Sequence, residues 1–172
     1  MHQGPLRLAI HSLKYQRNIG LAEALSIHLI DLLDHLKWTV DLIVPVPLAA
    51  QRRLERGYNQ ASLLAFPLAL ARRLPYSNRA LHRVRETRSQ VGLTSEERHS
   101  NVKDAFIAVG AIVKGKSVLV IDDVATTGAT QEACARALLS AGASTVYGIT
   151  LARAGFHTES AGEPPSSDHL IL

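Results

Sequence analysis

The stretch Val118-Leu119-Val120-Ile121-Asp122-Asp123-Val124-Ala125-Thr126-Thr127-Gly128-Ala129-Thr130 restricts the fold of this 172-residue chain more than any other segment. Ser117 to Ile121 is a continuous aliphatic, β-branched run, the composition of a central parallel strand buried on both faces. Asp122 and Asp123 stand where that strand is expected to end. Gly128 to Ala141 then reads as a helix, with Cys134, Ala137, Leu138 and Ala141 on one stripe and Gly142 as its stop signal. Thr145 to Leu151 returns to a strand pattern. Strand, helix and strand in this order make a βαβ unit, and such units place ligands at the carboxyl ends of their strands.

The residue types at that junction point to a definite chemistry. A helix N-terminus offers unpaired backbone N–H groups and the positive end of a dipole. Ala125, Thr126, Thr127, Gly128, Ala129 and Thr130 are small or hydroxyl-bearing, so a phosphate can approach the backbone and gain further donors. The two upstream carboxylates can accept hydrogen bonds from vicinal hydroxyls. A phosphate cradle beside a diol reader fits a ribose 5-phosphate. Either half alone is ordinary, since strand-Asp-Asp is common and Thr-Thr-Gly can simply cap a helix. Together, in register at a βα junction, they are specific. Neither a GxxxxGK[ST] loop nor a GxGxxG fingerprint is present.

Around this unit, residues 19–36 carry Ile19, Ala22, Leu25, Leu29, Leu32, Leu33 and Leu36 at helical spacing. Asp41 to Val44 is a short apolar run stopped by Pro45 and Pro47. Asn59 to Leu74 is helical in pattern, with Pro67 expected to kink or split it. Residues 75–93, Arg-rich and aperiodic, read as a long mobile loop. Thr94-Ser95-Glu96-Glu97 has capping-box form. Ala105 to Val109 alternates like a strand, and Ala111 to Lys116 reads as a hairpin turn or loop. The expected architecture is α/β, a three-layer, doubly wound, mostly parallel sheet with an N-terminal helix. Residues 1–155 form one domain, its first 40 residues helical, and 156–172 are a flexible tail.

Composition limits the alternatives. No apolar run is long enough to cross a bilayer, so no membrane role and a cytoplasmic location are expected. The single Cys134 excludes a cysteine-rich zinc site within this chain and reads as a small core residue. The eight histidines are scattered without metal-like spacing. Residues 51–103 hold eleven Lys/Arg against four Asp/Glu, and the nine basic residues between 51 and 88 are all Arg. A solvated face accounts for such a run, but guanidinium forks also match phosphate oxygens.

Val118 to Thr130 resembles the phosphoribosyl pyrophosphate (PRPP) motif of type I phosphoribosyltransferases. The wider chain is similar to the ComF family, named for a protein of bacterial competence and DNA uptake. The resemblance rests also on Leu13-Lys14-Tyr15, Val44-Pro45-Val46-Pro47-Leu48, Arg56-Gly57-Tyr58-Asn59-Gln60, Arg83 through Gln90, Arg98, Asn101-Val102 and Phe106. It implies a Mg-dependent phosphoribosyltransferase, with the metal held mainly by ligand oxygens rather than by protein side chains alone. Asp122 and Asp123 would then be catalytic and would bind PRPP together with Ala125 to Thr130. Val44, Pro45, Val46, Pro47 and Arg56 would form the pyrophosphate loop. Arg83, Arg85 and Arg88 would sit on a mobile loop facing the departing pyrophosphate. A homodimer is one open partner. A second reading is a non-catalytic PRPP- or nucleotide-binding module that serves competence, with single-stranded DNA on the basic face. ComF-type proteins usually begin with a cysteine-rich zinc ribbon, so a short family form or a lost start is expected here.

Overall fold

The computed structural model describes residues 5–16, 18–85, 94, 97, 101–102 and 104–153. Arg88, Arg98 and the tail 156–172 lie outside these residues. At the centre is a parallel sheet in the order β1 (Leu42–Pro45), β4 (Ser117–Ala125), β5 (Thr145–Arg153). Its register sets Val44 beside Val120 and Asp122 beside Thr150. A two-stranded antiparallel sheet, β2 (Leu81–Arg83) with β3 (Phe106–Ala108), lies outside it.

Because side chains alternate along a strand, the central sheet builds a different core on each face. Val118 and Val120 of β4, with Leu42 and Val44 of β1, pack with Ala133, Cys134 and Leu138 of α6 (Ala129–Ser140) and with Leu81 and Phe106. Leu119 and Ile121, with Ile43, pack the opposite way. There they meet α1 (Pro5–Tyr15), α2 (Leu21–Leu36) and α4 (Gln60–Arg72) through Leu13, Leu29, Leu33, Leu64 and Leu68. Helices on both faces of a mostly parallel sheet make the three-layer α/β architecture expected from the sequence.

Four local expectations are corrected. α4 runs through Pro67 without a break. The missing N–H and ring clash cost about 3 kcal/mol in a helix interior. Leu64, Ala65, Leu68 and Ala69, at most 3% exposed, hold both flanks of the proline in the core. Residues 75–93 are not wholly a loop. Ile43 donates its N–H to the Pro75 carbonyl at 2.9 Å and accepts from the Ser77 N–H at 3.0 Å. β2 follows, because Ala80 and Leu81 are buried. Residues 110–113 form a short helix, α5 (Gly110–Val113), drawn inward by the fully buried Val113. Finally, β4 does not stop at Ile121 but continues through both aspartates to Ala125.

α2 buries Ala22, Leu25, Ser26, Leu29 and Leu33, one stripe at helical spacing. α3 (Ala50–Arg56) buries none of its residues and ends at Gly57, whose φ of +83° suits glycine. The Thr94–Glu97 capping box is formed: the Thr94 N–H donates to Glu97 Oε2 at 2.7 Å, and the Glu97 N–H to Thr94 Oγ1 at 3.3 Å. These bonds hold the Glu97 carboxyl below its ordinary range.

Leu119→Ala, at a fully buried position in the central strand, should destabilise the fold by about 2–5 kcal/mol in denaturant unfolding. Leu54→Ala, at a site 86% exposed, should stay within about 0.5 kcal/mol of the parent.

Candidate functional site

The continuation of β4 decides the geometry of the aspartate pair. Alternation sends Asp122 to the face of Val118 and Val120, and Asp123 to the face of Leu119 and Ile121. Their surroundings agree. Asp123 Oδ2 pairs with Lys14 Nζ of α1 at 2.9 Å. Asp122 lies toward Cys134 of α6 and Arg83 of β2, both of which interact with it electrostatically. Asp122 Oδ1 also accepts the Asp123 N–H at 2.8 Å. Asp122 Oδ2 and Asp123 Oδ1 make no hydrogen bond or ion pair among the described residues.

Burial, and secondarily the charge of Asp123, push the Asp122 carboxyl up to about 7, while the Asp123 N–H bond, then Lys14 and Arg83, oppose the rise. The Cys134 thiol is driven well upward by burial and by Asp122. It is a core side chain, not a nucleophile.

Beyond Ala125 the chain turns into α6 at Gly128, whose φ of +85° favours glycine. A Cβ added there would touch nothing within 4 Å, so the backbone angle, not crowding, calls for Gly. As the N-cap of α6, Gly128 supplies no side-chain cap, and Thr127 Oγ1 accepts the Ala129 N–H at 3.3 Å. The helix end therefore presents donors to an anion. A cavity of about 300 Å³ opens beside this loop, with Ala125, Thr127, Gly128, Thr150 and Arg153 in its wall.

The second loop arrives from β1. Val44 and Pro45 are strand residues with buried side chains, so only Val46, Pro47 and Leu48 form the turn beyond the sheet. Pro45 closes β1 at little cost. The Ile43 N–H points to Pro75 and the Val46 N–H to Ile121, so by alternation the proline's missing donor faces away from β4. The Val46 N–H to Ile121 carbonyl bond, at 2.9 Å, sets this turn beside the aspartates.

Each residue of Arg56-Gly57-Tyr58-Asn59-Gln60 has a place. Asn59 caps α4, accepting the Ala61 N–H at 3.1 Å, and donates from Nδ2 to the Val46 carbonyl at 2.9 Å. The Tyr58 hydroxyl donates to the Leu13 carbonyl at 2.6 Å. Arg56 Nη1 donates to Gln60 Oε1 at 3.1 Å, and the guanidinium lies 5.1 Å from the centre of the Tyr15 ring. Gln60 is 2% exposed, with Nε2 unpartnered among the described residues. Of the expected mobile-loop arginines, Arg83 is instead a strand residue over the Phe106 ring at 5.5 Å, and Arg85 Nη2 donates to the Asn101 carbonyl at 3.1 Å. Lys14 is the residue that motif reading missed. Its only sequence signal was its place in Leu13-Lys14-Tyr15, with no spacing relation to Asp123.

A carboxyl that titrates near 7 in the folded chain and near 3.8 when unfolded binds more protons folded, so its contribution to stability falls as pH rises between those values. Asp122→Asn should therefore gain stability relative to the parent as pH rises from about 4 to about 7 and then level off. Urea unfolding across that range checks it; a constant difference would contradict the assignment.

Residues 31–168 match the family model described as phosphoribosyl transferase domain. The chain is 38% identical over 154 residues to DNA utilization protein YhgH of Escherichia coli, covering 87% of this chain and 67% of that protein. It is 34% identical over 159 residues to competence protein F of Haemophilus influenzae, covering 87% and 69%. Among solved structures, glutamine PRPP amidotransferase from B. subtilis superposes with a TM-score of 0.53 at 23% identity, over 76% of this chain and 26% of that one, a likeness of fold. With that fold and these relatives, the chain belongs to the phosphoribosyl transferase domain family, in its ComF group.

Proposed function

We propose that the chain binds PRPP with Mg²⁺ and transfers the phosphoribosyl group to an acceptor, releasing pyrophosphate. The observation that carries this reading is a carboxylate oxygen on each aspartate that makes no hydrogen bond or ion pair among the described residues, just upstream of the start of α6. A vicinal diol offers two hydroxyls to two such oxygens, and the 5-phosphate then falls to Thr126–Thr130. The turn at Val46–Leu48 is on the same edge, where the pyrophosphate of such a ligand would extend. Mg²⁺ would be coordinated chiefly by ligand oxygens and water, where it would neutralise pyrophosphate charge. The chain's own part is to orient the ribose through Asp122 and Asp123 and to place the anomeric carbon for displacement.

Titration calorimetry with PRPP and Mg²⁺ tests the binding, and pyrophosphate release with a panel of purine and pyrimidine bases tests the transfer. Asp122→Asn combined with Asp123→Asn should lower PRPP affinity on the order of a hundredfold or more while circular dichroism stays unchanged. Parental affinity in that variant would refute the diol-reading role.

One arrangement favours a second reading, a binding module that handles single-stranded DNA. Tyr15 is 64% exposed, lies tilted at 40° beside the His11 ring with centroids 4.8 Å apart, and meets Arg56 of α3, whose Arg53 is exposed. An aromatic platform beside arginines suits a base with its phosphate. Under this reading oligonucleotide affinity should fall steeply between 50 and 200 mM salt and weaken in Tyr15→Ala. Salt-independent affinity would exclude it.

A further inference from the structure

α1 reaches the aspartate pair from outside the βαβ unit, and three contacts hold it in place. Leu13 is fully buried in the core against α2, α4 and β4. Its carbonyl accepts the Tyr58 hydroxyl at 2.6 Å, and Tyr15 lies under the Arg56 guanidinium. The next residue after Leu13 is Lys14, so anchoring Leu13 brings the root of the lysine side chain to the site. The ammonium goes to Asp123 Oδ2 at 2.9 Å, in a pair whose side chains are only 22% and 13% exposed. A pair so enclosed is screened far less than one at the surface.

We propose that Lys14 is a positioning residue of the diol-reading pair, holding Asp123 in the rotamer that leaves Oδ1 toward the ligand and offsetting the mutual repulsion of the two adjacent carboxylates. The inference rests on the PRPP reading above. Lys14 touches the carboxylate oxygen that the ligand does not need, so it acts on the ligand through Asp123. It also makes α1 a working part of the site and not only a cover for the core. The charged and titratable groups facing Asp122 are Asp123 and Lys14 on one side and Arg83 and Cys134 on the other. Removing the ammonium leaves Arg83 as the only one of these cations, so the Asp122 carboxyl should titrate above its present value of about 7.

The test compares the parent with Lys14→Met, Lys14→Arg and Tyr58→Phe, reading PRPP affinity by calorimetry and the Asp122 carboxyl titration by carbon-13 NMR in the ligand-free protein. Lys14→Met should lose about tenfold to a hundredfold in affinity and move the Asp122 titration to higher pH. Lys14→Arg, which keeps the charge, should recover most of both. Tyr58→Phe loosens α1 at Leu13 without removing charge, so it should leave the titration in place. Lys14→Met with parental affinity, or with lost affinity but an unmoved titration, overturns the proposal, the latter marking Lys14 as merely structural. A parent that binds no PRPP defeats the functional reading instead, and the titration then decides alone whether Lys14 tunes the pair.

Discussion

Everything at this site depends on the hydrogen-bonded continuity of β4. Paired with β1 as far as Ile121, the last core residue, the strand is held extended beyond it to Ala125 by β5 alone. Extension forces alternation, and alternation drives two neighbouring carboxylates to opposite faces of one sheet. Had the strand ended at Ile121, the aspartates would share a loop and no single surrounding would distinguish them. Instead one meets Lys14 and the other the Arg83 and Cys134 side. The difference in their chemistry follows from the pleat.

The same strand joins the two cores. Leu119 and Ile121 close the layer of α1, α2 and α4, while Val118 and Val120 close the layer of α6. The aspartates follow directly on the residues that close both layers. A group on either layer can reach them, which is how an N-terminal helix and a distant antiparallel strand come to face the same pair.

Much of this was legible in the sequence, for physical reasons that differ by element. The βαβ unit, α2 and the Thr94–Glu97 box announce themselves because one residue type recurs at one period or spacing. α3 could not, since a helix that buries nothing leaves no apolar stripe. β2 spans three residues, too few to display alternation, inside a segment whose arginines look like solvent. Asp122 and Asp123 read as a strand end because charges usually mark one; pairing with β5 overrode that preference. Pro67 read as a kink or a split; the helix is not split, because the rule for proline is local whereas the packing on either side of it is not. Lys14 shares no periodicity with Asp123, and only tertiary folding brings them together.

The double engagement of Asn59 has a mechanical consequence. One amide spans the first turn of α4 and the carbonyl of Val46, so helix and turn are joined like two members by a strut. Swinging the turn outward by itself would break one end of that strut, and rolling the helix alone would break the other. Motion of the 46–48 segment is therefore geared to α4, and through Leu64 and Leu68 to the whole α1–α2–α4 layer.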